Sequence, residues 1–98
     1  MTTQRMIFGL VLTKCFERDM KRMERRDRNL SELWRVVEIL RRGQELPPRY
    51  RNHTLRGDLA GREECHIEPD WLLTYRRRKD ILILVMLQTG THADLFRR

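Results

Sequence analysis

The sequence predicts an α+β domain with the element order β-α-α-β-β-β, a helical hairpin packed on one face of a sheet dominated by antiparallel pairing. Three observations carry this. A short apolar run, "MIFGLVL" at 6–12, opens the ordered pattern. Two stretches with helical periodicity follow it. The second half then alternates, or is apolar throughout, with turn residues between the runs. Helices gathered ahead of a series of strands give a helical layer on one side of a sheet.

Each element has its own reason. Residues 6–12 are β-formers without a polar face, the pattern of a buried strand. In "KCFERDMKRMERRDR" (14–28), Phe16, Met20 and Met23 recur at helical spacing and almost every other position is charged. That is an amphipathic helix with a basic outer face. Asn29 or Ser31 suits the N-cap of a second helix, with Glu32 in its first turn. Leu30, Leu33, Trp34, Val37 and Leu40 form its apolar stripe, with Trp34 as a packing residue, and Gly43 ends it. Residues 45–63 read as a loop, because Pro47 and Pro48 exclude helix and central strand while Gly57 and Gly61 mark turns. From Glu64 the chain alternates, with Cys65 and Ile67 on one face and Glu64, His66 and Glu68 on the other. "EPDW" is a tight turn. Residues 71–75 form the next strand, with Tyr75 in the packing, and "RRRKD" reverses the chain. Residues 81–87 are apolar on both faces, as a central strand is. "TGTHADLFRR" adds a turn and one helical turn.

The 98 residues fit one domain, 1–98, with a single modest core. Hydrophobic residues are 40% and charged residues 36%, so the surface is heavily charged. A net charge of +7 on so short a chain points to a polyanionic partner. Nucleic acid comes first, and an acidic protein or a membrane surface second. Two cysteines, Cys15 and Cys65, make no disulfide framework, which fits a reducing cytoplasm. Both long apolar runs are too short to span a bilayer, so no membrane partner is expected. Arg5 and the first run imitate a signal peptide, but Lys14 stands where a small neutral residue is needed.

The chemistry rests on three histidines. His53 lies in the basic loop, His66 on the polar face of a strand and His92 after the last strand, with Asp70 in the hairpin turn. The predicted order brings all of them to one side of the sheet. Zinc has little support, since there is no H-x-x-x-H spacing and no thiol pair, and neither metal nor other cofactor is assigned. Plain surface or capping histidines are the bland alternative. The third reading is metal-free RNA cleavage. A base takes the 2′-hydroxyl proton, an acid protonates the leaving 5′ oxygen, and a cation offsets the charge on the phosphorane. Histidine suits both proton roles, arginine suits the phosphate, and exposed aromatics such as Trp71 and Phe96 suit the bases.

"NHTLRGDLAG", "ECHIEPDWLLTY" and "TGTHADLF" resemble the signature blocks of YafQ-type toxins, messenger-RNA interferases of the RelE superfamily in bacterial toxin–antitoxin systems. The likeness is close from about Leu46 to Phe96 and is one of pattern before that. It implies a RelE-like fold and ribosome-dependent cleavage of translated mRNA. It also implies neutralisation by an acidic antitoxin with a DNA-binding half, the complex repressing its own operator DNA. By position in the motifs it implies functional roles for His53, His66, Asp70 and His92, with Glu64, Trp71 and Phe96 around them. His66 and His92 then carry the proton transfers, His53 stands near the phosphate, and Asp70 orients or accepts a proton.

Two positions depart from the family pattern. Glu63 and Gln88 stand where the resemblance expects arginines. Arg56, Arg62 or Arg76 is then the substitute cation for the phosphate. Two other functions stay open at this point. One is a toxin of the same fold that inhibits a protein such as DNA gyrase without catalysis. The other is an inactive member that binds antitoxin as a co-repressor. The basic face of the first helix suits ribosomal RNA and an acidic antitoxin equally.

Overall fold

The computed structural model describes residues 7–96; Met6 of the predicted first strand lies outside the described residues. Along the chain come β1 (Gly9–Leu12), α1 (Lys14–Arg25), α2 (Leu30–Arg41), β2 (His53–Thr54), β3 (Glu63–Glu68), β4 (Trp71–Arg78), β5 (Ile83–Gly90) and α3 (His92–Phe96). Short 3-10 turns at Pro48–Tyr50 and Gly57–Leu59 flank β2. The strands form one sheet in the order β1-β5-β4-β3-β2. β1 runs parallel to β5, and the other pairs are antiparallel. The α+β architecture is the one the sequence predicts.

α1 starts at Thr13, whose Oγ1 accepts the Phe16 N–H at 3.1 Å and lies 2.9 Å from the Met86 carbonyl oxygen, to which it donates. The cap therefore also anchors the helix to β5. The helix stops at Arg25, three residues before its predicted end. Asp27 takes a left-handed conformation (φ 58°), and the Arg28 and Asp27 N–H groups bond the Met23 and Glu24 carbonyls at 3.1 and 3.0 Å. This closes the helix without a glycine, since aspartate tolerates that region better than most residues. α2 ends as expected at Gly43 (φ 71°), with Gln44 N–H bonded to Ile39 and Gly43 N–H to Leu40.

Phe16 and Met23 of α1 and Leu33, Val36, Val37 and Leu40 of α2 pack on one sheet face. That face supplies Cys65 and Ile67 of β3, Leu73 and Tyr75 of β4, and Leu84 and Met86 of β5. The alternation read in β3 is thus confirmed. Trp34 is a packing residue at the rim, 39% exposed, with its ring edge-on to Phe16 at 6.3 Å between centres.

Three strand expectations change. β1 is not buried but an exposed edge strand, with Val11 44% exposed and, among the described residues of that run, only Phe8 in the core. Having a neighbour on one side only, it needs no second apolar cover. β4 continues to Arg78, and β5 begins at Ile83, because the reversal occupies residues 79–82, with Leu82 at φ 53°. The predicted loop also contributes β2, whose two residues pair His53 with Glu64 and Thr54 with Glu63.

Candidate active site

The sheet face turned away from α1 and α2 carries the polar residues. Across it His53 pairs with Glu64 and Glu64 with Thr74, while His66 pairs with Leu72 and Leu72 with Gly90. Paired residues point to the same side, so β2 and β3 bring His53 and His66 together and α3 adds His92 at the end of β5. The rings form a row. His53 and His66 are 6.3 Å apart between centres, His66 and His92 5.8 Å, and Phe96 lies 5.9 Å beyond His92.

Each imidazole is tethered through the same atom. His53 Nδ1 lies 2.9 Å from the Arg51 carbonyl, His66 Nδ1 3.4 Å from the Pro69 carbonyl, and His92 Nδ1 2.7 Å from Asp70 Oδ1. A carbonyl oxygen only accepts, so Nδ1 of the first two rings carries a proton and Nε2 is the atom left to face outward contacts. His53 Nε2 faces Glu64 Oε1 at 3.4 Å, a contact that is favourable when a proton lies between them. Asp70 takes both the ring and the backbone N–H of His92, the latter at 3.2 Å. These bonds, the ring's first, hold its carboxyl below the usual aspartate range.

The "TGTHAD" segment explains how His92 is placed. Thr89 accepts the Trp71 Nε1 proton at 2.8 Å and donates to the Leu72 carbonyl at 2.7 Å, while its N–H bonds buried Asp19 of α1 at 3.1 Å. Thr91 and Asp94 cap the start of α3 reciprocally, each N–H bonding the other's side chain, at 2.9 and 3.2 Å. Asp94 is also gripped by Arg26 through bonds of 2.6 and 3.1 Å, so its carboxyl is held far below the usual range, chiefly by that arginine. A Cβ at Gly90 would stand 2.9 Å from the Asp94 Cβ, so only glycine lets this carboxylate close over the turn.

Of the residues named from sequence, His53, His66, Asp70, His92, Glu64 and Phe96 come together. Trp71 does not: it is fully buried in the core and has no face for a base. Its motif position reflects packing and the bond to Thr89. Arg62 and Arg76 lie in the next row along the sheet: Arg62 is two residues before Glu64, the partner of His53, and Arg76 two residues along β4 from Thr74, the partner of Glu64, each about 7 Å from that row at the rise of a strand and twice as far from His66. Arg56 lies at the exposed start of the Gly57–Leu59 turn.

Sequence reasoning passed over a different pair of cations. A cleft of about 230 Å³ runs beside His66, lined also by Arg49, Arg51, Glu68 and Pro69. Nothing but proximity to His53 in the chain signalled it. Glu63, in an arginine's expected place, accepts from Arg77 at 2.6 and 2.8 Å and from Asn52 at 3.2 Å. Burial pushes its carboxyl up, but those bonds outweigh it and the net shift is downward. Gln88 Nε2 lies 4.0 Å from Cys15 Sγ at the start of α1. Cys65 faces the core, and burial, with Glu64 and Glu63 adding, pushes its thiol up to about 12. Among the described residues no group of three or more His, Cys, Asp or Glu is arranged to hold a metal ion, and no helix is long and apolar enough to cross a membrane.

Comparison with known proteins bears on the family and the fold. The model of the YafQ family, bacterial toxins of type II toxin–antitoxin systems, matches residues 9–97. The mRNA interferase toxin YafQ of Escherichia coli K12 is 33% identical over 82 residues, 83% of this chain and 87% of that one. A metal-bound toxin from Helicobacter pylori superposes with a TM-score of 0.86 at 34% identity, covering 92% of this chain and all of the other. A chain of the E. coli DinJ–YafQ toxin–antitoxin complex superposes with a TM-score of 0.84 at 30% identity, covering 91% and 97%. The five-stranded sheet with its helical hairpin, the histidine row and a family match running over residues 9–97 make one conclusion: the chain belongs to the YafQ family of type II toxin–antitoxin toxins.

Proposed function

We propose that this toxin is an endoribonuclease that cuts translated mRNA on the ribosome by metal-free acid–base chemistry at the 2′-hydroxyl. The observation that carries the reading is the row of imidazoles, with His66 and His92 5.8 Å apart and each tied at Nδ1. Two fixed Nε2 atoms can address the attacking 2′ oxygen and the leaving 5′ oxygen on either side of one phosphorus. His92 faces the carboxylate of Asp70, which matches a positively charged ring that donates a proton. His66 Nδ1 has the neutral Pro69 carbonyl as its partner, which matches a ring whose Nε2 accepts one. His66 is therefore the base toward the 2′-hydroxyl and His92 the acid toward the 5′ oxygen. His53, with Glu64 beside it, borders the phosphate, and Phe96, 79% exposed, offers a face to a base.

The partners follow from charge. The net charge of +7 and the exposed Arg18, Lys21 and Arg25 on α1 suit ribosomal RNA, or an acidic antitoxin segment that shields them. The E. coli toxin is found in a toxin–antitoxin complex with DinJ. For this chain the partner is a cognate acidic antitoxin with a DNA-binding half, and the pair binds its operator from the cytoplasm.

The test is brief induction followed by primer extension on cellular mRNA. Discrete cuts within codons are expected, and His66→Ala and His92→Ala should abolish them. Intact mRNA with normal growth would overturn the reading. Accumulation of gyrase-cleaved DNA would replace it with a non-catalytic toxin.

A further inference from the structure

β2 covers only Glu63 and Glu64, so the edge of β3 from Cys65 to Glu68 has no strand beside it. The Pro48–Tyr50 turn packs there instead, and the cleft beside His66 lies between that turn and the Pro69 reversal. Its floor is rigid. Tyr50 is buried, donates to Glu32 Oε1 at 2.6 Å and accepts from Arg49 Nη2 at 2.8 Å. Glu68 at the rim is met by Arg28 at 3.1 Å, which offsets its charge toward an incoming anion.

Arg51 is the singular residue. It is a non-glycine in the left-handed region, with φ 49° and ψ 44°, a conformation that must be held by its surroundings. The turn aims its carbonyl at His53 Nδ1 while its side chain lines the cleft that His66 borders. The guanidinium is exposed and makes no ion pair among the described residues, whereas Arg49 is engaged by Tyr50 and Glu32. One residue thus holds one imidazole by its backbone and offers a free planar cation beside the next.

We propose that this cleft is the subsite for the RNA nucleotide adjoining the scissile bond, and that Arg51 contacts its phosphodiester oxygens. The volume, about 230 Å³, falls below the roughly 300–1,000 Å³ of pockets for drug-sized ligands, so the cleft takes the sugar–phosphate of one nucleotide rather than a longer stretch of RNA. A guanidinium fork matches two phosphate oxygens at once. The inference rests on the ribonuclease reading and supplies the cation that Glu63 and Gln88 do not.

The test uses the full chain and a short RNA carrying a 2′-deoxy nucleotide at the cut site, which binds without reacting. Arg51→Ala should weaken binding at least tenfold and lower kcat/KM on ribosome-bound mRNA at least as much, with Arg51→Lys recovering part of both. Arg51→Gly keeps the left-handed backbone and removes only the cation, so it should match Arg51→Ala if folding is intact. Arg78→Ala, whose side chain pairs with Asp80 on the distant reversal, should change neither. If Arg51→Ala and Arg51→Gly bind and cleave like the parent while His66→Ala is inactive, the subsite is wrong and the ribonuclease stands. If the parent itself leaves mRNA intact, both fall.

Discussion

Arg77 holds Glu63 with two hydrogen bonds, Nε to Oε2 at 2.8 Å and Nη2 to Oε1 at 2.6 Å. Both side chains are mostly buried, at 18% and 15% exposure. Where the family resemblance expects an arginine, this chain has a carboxylate, and the matching cation lies on the neighbouring strand. Asn52 joins the pair and so fixes the residue next to His53. Glu63→Gln leaves Arg77 largely buried without its counter-charge and should cost about 2–3 kcal/mol, at the lower end for a broken buried pair. The double exchange of Glu63→Arg with Arg77→Glu should recover more than half of that in urea unfolding. No recovery would mean that the ion pair is not what the site depends on.

Gly90 and Asp94 make a second, more local test. Gly90→Ala sets a Cβ against Asp94 and should cost about 1–3 kcal/mol, as overpacking does. Asp94→Asn relieves no clash but weakens the bonds from Arg26, a loss of about 1–2 kcal/mol for charge-assisted bonds. Both should lower cleavage through His92, with kcat falling more than KM rises. A variant with normal kcat would show that α3 is positioned by other contacts.

The two aromatics of the signature blocks should separate cleanly. Trp71→Ala empties a fully buried site and should destabilise the fold by about 3–5 kcal/mol. Phe96→Ala touches an exposed ring and should leave the unfolding midpoint within about 0.5 kcal/mol, while weakening cleavage. Equal stability losses in the two would contradict this assignment.

Stability should fall at both ends of the pH scale. The Cys65 thiol is raised to about 12 and the Tyr75 hydroxyl is raised as well, both mainly by burial. Their contribution is complete below their unfolded values, about 8.5 and 10, and is lost as pH rises toward the folded ones. Asp70, Asp94 and Glu63 are depressed, so their contribution is present above about 4 and is lost as pH falls through that range. Thermal melts should therefore plateau from about pH 5 to 8.5 and decline on either side. Half-exposed Cys15 should react with a thiol reagent at pH 8 while Cys65 stays protected until unfolding. A melting temperature that holds to pH 11 would contradict the burial argument.

What was legible in the sequence follows from what is local. The alternation of Cys65 and Ile67 with Glu64 and His66 gave β3 its faces, because side-chain direction in a strand is set by parity alone. Gly43 gave the end of α2 for a similar reason. The end of α1 was hidden, since Asp27 in a left-handed turn has no marker as clear as glycine. Trp71 looked like a base-stacking residue because a motif records position, not exposure. Arg51 drew no notice because its place in the cleft beside His66 comes from the Pro48–Tyr50 turn lying along β3, a contact no spacing in the sequence reveals. Arg62 and Arg76 were named by count alone, and their place one row beyond the His53–Glu64 pair comes from strand register, which the sequence does not display.

The parallel pairing of β1 with β5 orders events during synthesis. Gly9 finds its partner only in Ile83, and the Thr13 anchor of α1 is the Met86 carbonyl. A nascent chain that has emerged through β4 holds both long helices, His53 and His66, yet has neither a neighbour for its first strand nor His92. Contacts so distant in sequence form late, after the loop between them has closed. On the proposed mechanism, one late segment, residues 83–92, supplies both the partner that the first strand lacks and the second imidazole of the reacting pair, so closing the sheet and completing the site are a single event.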